Sequence, residues 1–242
     1  MEIHDHLDAL AGASDAAADA AASAGIDADV PSCPGWKVRD LLLHMAGGDL
    51  WARTIVETQS VQRVANDVPE DHPEGEALVD WYREGAHRLV AALGAVDPAV
   101  SVWTFSASDR TARFWIRRRA CETTVHRYDA QLAAGDAEPV DAAVAVDGVD
   151  EFTTVFLPRL GADVLPDGAT IHLHATDADG EWLLAGSPDG VRVSREHAKG
   201  DVAARGRASD LYLFLWGRVP QSTLEVFGDA AVLAAFRDAS HI

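Results

Sequence analysis

Two side chains that can bind a metal ion, Glu122 and His126, lie four positions apart in a stretch without Gly or Pro. Residues four apart in an α-helix share one face, so a helical stretch points this carboxylate and this imidazole at one spot. Catalytic zinc takes three protein ligands and leaves one position for water or substrate. A metal site here therefore needs a third ligand from another part of the chain.

His44 is the candidate for that third ligand. It lies in the apolar stripe of a predicted helix that begins near Lys37, where the periodicity indicates a buried face. Two histidines, one glutamate and a water molecule are a set typical of catalytic zinc, although nickel, iron and cobalt accept the same donors. The residues alone leave a second interpretation open, in which His44 is a hydrogen-bonded core histidine and the Glu-x-x-x-His spacing arises by chance.

The elements that must position these side chains are four predicted helices. Each carries apolar residues at helical spacing, and loops rich in Gly and Pro separate them. The helices are predicted at residues 3–24, from about 37, at 75–95 and at 111–134. Four helices joined in this way predict a bundle, in which sites are built from inward side chains on facing helices.

The pattern of apolar and polar residues changes after residue 138. Residues 141–160 read as one more helix, and alternating residues between 169 and 206 predict strands near 171–174, 181–184 and 191–193. The remaining elements are a helix at 209–216, a strand at 223–227 and a helix at 229–239. We therefore expect two domains, an all-α domain at 1–138 and an α+β domain at 139–242.

Composition excludes several classes of partner. The 242 residues include 39 acidic and 20 basic ones, and the formal net charge of −19 disfavours binding to nucleic acid or to an anionic membrane. No apolar run approaches the roughly 20 residues that cross a bilayer. The start of the chain has no basic region followed by an apolar run, which predicts a cytoplasmic protein. Cys33 and Cys121 are expected to be unbridged thiols, as is usual in the cytosol.

Two segments carry a resemblance to a known family. Residues 31–44 contain Cys-Pro-Gly-Trp followed by His44, and residues 122–130 read Glu-Thr-Thr-Val-His-Arg-Tyr-Asp-Ala. Both resemble the metal motifs of the mycothiol-dependent maleylpyruvate isomerase family, one of the DinB-like metal-binding four-helix bundles. The second half, with its best match at residues 210–218, is similar to that family's sterol-carrier-like C-terminal domain.

The resemblance implies an enzyme and a site. His44, Glu122 and His126 match the family's metal triad, usually taken as zinc, and Arg218 matches an arginine at the pocket mouth that holds a carboxylate. In the family's namesake reaction the thiol of mycothiol adds to the double bond of maleylpyruvate, rotation follows, and elimination gives fumarylpyruvate. Transfer of the thiol onto another small electrophile fits equally well, and for Arg218 a surface ion pair is the alternative.

Other candidate residues have a functional and a structural interpretation, and for most the structural one is favoured. Cys33 is expected to be structural rather than a nucleophile, and Cys121 to point away from the metal. His172 and His174 share a strand face that could bind metal, although a solvated hairpin face is favoured. Roles at the pocket or simply at the surface or in the core stay open for the following residues: Trp36, Trp51, Arg83, His87, Arg127 and Asp129.

Two non-enzymatic functions also stay open. A metal-binding regulator would bury its metal or cover it with a partner. A carrier of small apolar ligands would contain a long apolar cavity in residues 141–242. Three protein ligands leave a vacant metal position, which favours an enzyme.

Overall fold

The computed structural model describes residues 1–66, 68 and 70–240. The chain divides into two compact units, Met1–Glu138 and Pro139–Ile242. The first unit is helical and the second combines helices with a mixed sheet, as predicted. None of the helices in the described ranges has both the length and the apolar surface needed to cross a membrane.

The described part of the first unit contains four α-helices: α1 (Ile3–Ala24), α2 (Val38–Thr58), α3 (Ala77–Ala95) and α4 (Ala112–Ala134). Helix α1 packs against α4 and α3, and α2 packs against α3 and α4. The apolar stripe of α2 is fully buried at Leu41, Leu42 and Met45. Because these side chains face the core, α2 turns its adjoining face, with His44, toward α4.

The loop before α2 is tied down by backbone hydrogen bonds. The N–H of Val30 donates to the carbonyl of Trp36 at 3.0 Å, and the N–H of Val38 donates to the carbonyl of Ala28 at 3.0 Å. The helix begins where the carboxylate of Asp40 accepts the backbone N–H of Lys37 at 2.8 Å. The loop therefore fixes where the helix that carries His44 starts.

The second unit begins with α5 (Ala142–Glu151) and continues into short turns at Phe152–Phe156, Leu157–Arg159 and Ala162–Val164. In residues 139–240, five strands form one sheet in the order β3-β2-β1-β4-β5, in which the β1–β4 pair is parallel and the other three pairs are antiparallel. The strands are β1 (Thr170–Ala175), β2 (Glu181–Ser187), β3 (Gly190–Ser194), β4 (Val202–Gly206) and β5 (Glu225–Gly228). Helix α6 (Ala208–Leu215), a short turn at Gln221–Thr223 and helix α7 (Ala230–Ala239) complete the unit.

The helix predicted over residues 141–160 is present, but it does not stay an α-helix in its second half. The α-helix ends at Glu151 and widens into a π-turn at Phe152–Phe156. The hydroxyl of Thr154 donates to the carbonyl of Asp150 at 2.6 Å and competes for an acceptor of the helical ladder. Pro158 then lacks the N–H that would continue an α-helix.

Candidate metal centre

The structure brings the three predicted metal ligands together. His44 from α2 and Glu122 and His126 from α4 each offer a ligand atom, and these atoms all lie within 4.8 Å of one another. The distance from His44 Nε2 to Glu122 Oε1 is 3.6 Å, and the two imidazole centroids are 4.9 Å apart. Two imidazole nitrogens and one carboxylate oxygen are a donor set that suits a divalent transition metal.

The three ligands differ in exposure. The side chain of His126 is 10% exposed, that of Glu122 22% and that of His44 43%. The site is therefore buried at its His126 end and reaches solvent at His44. The ring of Trp36 packs against His44 with a centroid distance of 5.1 Å, so this tryptophan borders the open side.

The imidazole of His126 is oriented by Asp129. Its Nδ1 donates to Asp129 Oδ2 at 2.9 Å, which leaves Nε2 as the nitrogen that can bind a metal. Burial lowers the pKa of His126, although the nearby Asp129 carboxylate opposes this, so the neutral ring that a metal requires is favoured. A carboxylate behind a metal-binding histidine fixes the tautomer and the ring orientation.

Asp129 is itself held by the loop that precedes α2. Ser32 Oγ donates to Asp129 Oδ1 at 2.6 Å, and Cys33 Sγ donates to Oδ2 at 3.7 Å. The carboxylate is fully buried. The loop with the Cys-Pro-Gly-Trp segment thus supports Asp129 behind the candidate ligand His126, and the thiol of Cys33 takes part in this contact. Arg127, considered with Asp129 from the sequence, donates to the carbonyl of Glu138 at 3.2 Å.

Two arginines hold the other oxygen of Glu122. Arg118 Nη2 lies 3.2 Å from Oε2, and Arg119 Nη1 lies 2.5 Å from the same atom. Burial raises the pKa of Glu122, but the two guanidinium groups outweigh it and keep the pKa well below its ordinary value. Glu122 is therefore ionised with Oε1 directed toward His44. Neither arginine was predicted from the sequence, although positions three and four before Glu122 on one helix signal such contacts.

Arg119 also joins α4 to α2. Its Nε and Nη2 donate to Asp49 Oδ1 at 3.1 and 2.8 Å, and both side chains are almost fully buried. Burial raises the pKa of Asp49 to about 6, although Arg119 opposes the rise. A Cβ at Gly48 would lie 2.5 Å from Arg119 Nη1, so glycine is what lets the guanidinium lie against α2. These residues form a continuous polar link beneath the candidate ligand Glu122.

The remaining charged candidates, Arg218, His87 and Arg83, have polar contacts of their own. Arg218 follows α6 in the second unit, where its Nη1 donates to the carbonyl of Trp216 at 2.7 Å. His87 Nε2 and Arg83 Nη1 both contact Asp15 Oδ1, at 2.9 and 3.2 Å, and so link α3 to α1.

The aromatic and thiol candidates lie in packed surroundings. Trp51 packs in an aromatic cluster with Trp103 and Trp115, at centroid distances of 5.4 and 5.0 Å. Cys121 is buried within α4. Of the two tryptophans considered as pocket walls, Trp36 is the one beside the ligands.

Comparison with known families and structures gives consistent matches. The family model described as Mycothiol maleylpyruvate isomerase N-terminal domain matches residues 7–131, and the MDMPI C-terminal domain matches residues 143–235. A crystal structure of the mycothiol-dependent maleylpyruvate isomerase has a TM-score of 0.64 at 13% identity, with 93% of each chain covered. A histidine-to-alanine mutant of the mycothiol-dependent maleylpyruvate isomerase gives a TM-score of 0.66 at 12% identity, again over 93% of each chain. At these identities the structural likeness shows the fold. Comparison with curated protein sequences gives no match.

Proposed function

The chain belongs to the mycothiol maleylpyruvate isomerase family, and from this premise we propose that it is a divalent-metal enzyme that uses mycothiol to isomerise, or transfer a thiol to, a small electrophile. The observation that carries the proposal is the cluster of His44, Glu122 and His126, whose ligand atoms lie within 4.8 Å of one another and which reaches solvent at His44. Zinc is the metal this donor set favours. A regulatory metal buried within the chain would not leave a ligand exposed to solvent.

Each residue of the proposed site has a separate role. His44, Glu122 and His126 would hold the metal, which when bound supplies a thiolate at neutral pH because a coordinating thiol is deprotonated. Asp129 keeps the ring of His126 in one orientation. The arginines at 118 and 119 keep Glu122 ionised and hold one of its oxygens, so that the other is directed at the ligand cluster.

The proposed chemistry balances without an oxidant or a reductant. The thiolate sulfur forms a bond to one alkene carbon, and the π electron pair moves to the conjugated carbonyl oxygen, which leaves a C–C single bond that can rotate. In isomerisation the electron flow reverses, the C–S bond breaks and the double bond re-forms with trans geometry. In thiol transfer the carbon next to the carbonyl takes a proton instead, and the adduct is the product.

Arg218 is the residue we assign to a carboxylate of the substrate or the thiol. Its planar guanidinium can hold a carboxylate by two parallel hydrogen bonds. Arg218→Ala should raise KM about 10- to 100-fold without loss of metal, because a hydrogen bond to a charged group contributes roughly 1.5–3 kcal/mol. Arg218→Lys should recover only part of the loss. Steady-state kinetics together with metal analysis test this role of Arg218. Unchanged kinetics would show that Arg218 does not bind the carboxylate and is a surface residue.

Calorimetric titration of mycothiol tests the function itself. The protein is purified without an affinity tag and titrated once in its metal-loaded form and once after chelation. We expect mycothiol to bind only to the loaded form, and maleylpyruvate or a related electrophile to be converted only there. Thiol binding that survives chelation contradicts a metal-activated thiol. A metal-loaded protein that binds no thiol contradicts the enzyme and favours a regulator or a carrier.

A further inference from the structure

A second group of histidines lies in the second unit, on one face of its sheet. His172 and His174 are two positions apart on β1 and so point to the same side. Glu181 on β2 lies directly opposite His174 in the antiparallel register. The alternate residues Ile171 and Leu173 are fully buried on the other face, so the histidines occupy the side away from the hydrophobic core.

A fourth side chain, His197, reaches this face through the connection from β3 to β4. In the strand order β3-β2-β1-β4, the segment 195–201 must pass both β2 and β1. The end of the segment is anchored, because Thr170 N donates to Asp201 Oδ2 at 2.8 Å and Asp201 N donates to the Thr170 carbonyl at 3.1 Å. Gly200 packs so closely that a Cβ there would lie 3.0 Å from the backbone nitrogen of His172.

The four side chains converge on one point. His172 Nε2 and His197 Nδ1 lie 3.0 and 2.7 Å from Glu181 Oε2, and His174 Nδ1 lies 3.5 Å from Oε1. One ligand atom from each of the four lies within 4.8 Å of all the others. The prediction of a solvated hairpin face is wrong for His172, which is 5% exposed, because the segment carrying His197 and Gly200 lies against it.

The charge state of the group suits a cation. Glu181 supplies a carboxylate, which is ionised at neutral pH in an ordinary glutamate. Three imidazoles around one carboxylate form an N₃O donor set, which zinc accepts in tetrahedral geometry.

We propose that His172, His174, Glu181 and His197 form a second divalent-metal site, which takes zinc or a similar transition metal and fastens the β3–β4 connection to the sheet. Four protein ligands fill a tetrahedral site and leave no position open for substrate, which is typical of structural rather than catalytic zinc. The site differs from the cluster of His44, Glu122 and His126 in sequence, in unit and in ligand number. Its role is to stabilise the second unit when metal is bound.

Zinc titration of matched variants tests the proposal. We expect tag-free wild-type protein to bind about two zinc ions per chain, and His197→Ala to lose one of them, with an affinity at that site reduced roughly 100-fold or more. His197 suits the test because its side chain is 78% exposed and its removal leaves the core intact. His4→Ala, which removes a histidine that is 75% exposed in the first unit, is the control and should keep both ions.

Hydrogen–deuterium exchange supplies a second readout that does not depend on counting ions. Zinc should slow amide exchange in residues 195–201 of the wild type and of the His4→Ala protein, and should leave it unchanged in His197→Ala. Equal zinc stoichiometry and equal exchange in wild type and His197→Ala would overturn the proposal and make the cluster a hydrogen-bonded network alone. Mycothiol binding should be unchanged in His197→Ala, so failure here is distinguishable from failure of the proposed enzyme function.

Discussion

Replacing His126 by alanine should remove one metal ion per chain and abolish mycothiol binding while α4 stays helical. His126 is the most buried of the three proposed ligands, and its Nε2 has no substitute among the residues that the structure places around Glu122 and His44. Loss of one of three ligands should lower the affinity for the metal roughly 100-fold or more. Without the metal, the several kcal/mol it supplies to thiol activation are absent, so turnover should fall roughly a thousandfold or more.

Two further variants separate a ligand from its surroundings. Asp129→Asn keeps all three proposed ligands but removes the carboxylate that orients His126. It should lower the affinity for the metal about 10- to 100-fold. His87→Ala removes another helix histidine that pairs with a carboxylate, Asp15, and should change neither metal nor thiol binding. Metal content by mass spectrometry and mycothiol titration are measured on all three proteins. Full metal occupancy of the first site in His126→Ala would contradict the proposed site. His44, Glu122 and His126 would then be packed residues that bind no metal.

Much of the fold could be predicted because its signals are local. The helices of the first unit follow from apolar periodicity and from Gly and Pro breaks, and their predicted bounds lie close to the observed ones. The π-turn after Glu151 could not be predicted, because it depends on whether threonine hydroxyls or backbone N–H groups donate a hydrogen bond to the carbonyl of Asp150. The helix pattern alone carries no information on that competition.

The two clusters of candidate metal ligands also differ in how far the sequence predicts them. Glu122 and His126 share a helix, so their spacing predicts that they point to one spot, and the buried stripe of α2 supplies His44 as a third residue. The structure places all three together. The second cluster could not be assembled in this way, because His197 joins it only through the order of the strands. A connection that crosses two strands is a property of the whole sheet, and the sequence pattern of each strand does not encode it.

Arg119→Met should destabilise the first unit by about 3–5 kcal/mol, the cost of removing one partner from a buried ion pair. Arg119 is 1% exposed and contacts two carboxylates, Asp49 and Glu122, so its loss leaves negative charge in the core without its main counterion. Chemical denaturation gives the free energy of unfolding, and hydrogen exchange in α2 and α4 assigns it to this unit. A loss below about 1 kcal/mol would contradict the role given to Arg119.

The cost of this substitution should grow with pH. Asp49 has a pKa of about 6 in the folded protein, above its ordinary value, so its contribution to stability falls as pH rises from that ordinary value through 6. Without Arg119 the folded-state pKa rises further, and the fall continues above pH 6. The difference between wild type and Arg119→Met should therefore be larger at pH 8 than at pH 6.

A double-mutant cycle isolates the pair from general packing effects. Asp49→Asn removes the charge that Arg119 neutralises while keeping the shape of the side chain, so the combined variant should be less destabilised than the sum of the single variants. Arg119→Lys keeps the charge but lacks the fork that reaches Asp49 and Glu122 together, and should recover stability only in part. Because the same guanidinium orients Glu122, Arg119→Lys should also bind metal more weakly than wild type. Equal metal affinity would confine Arg119 to a stabilising role.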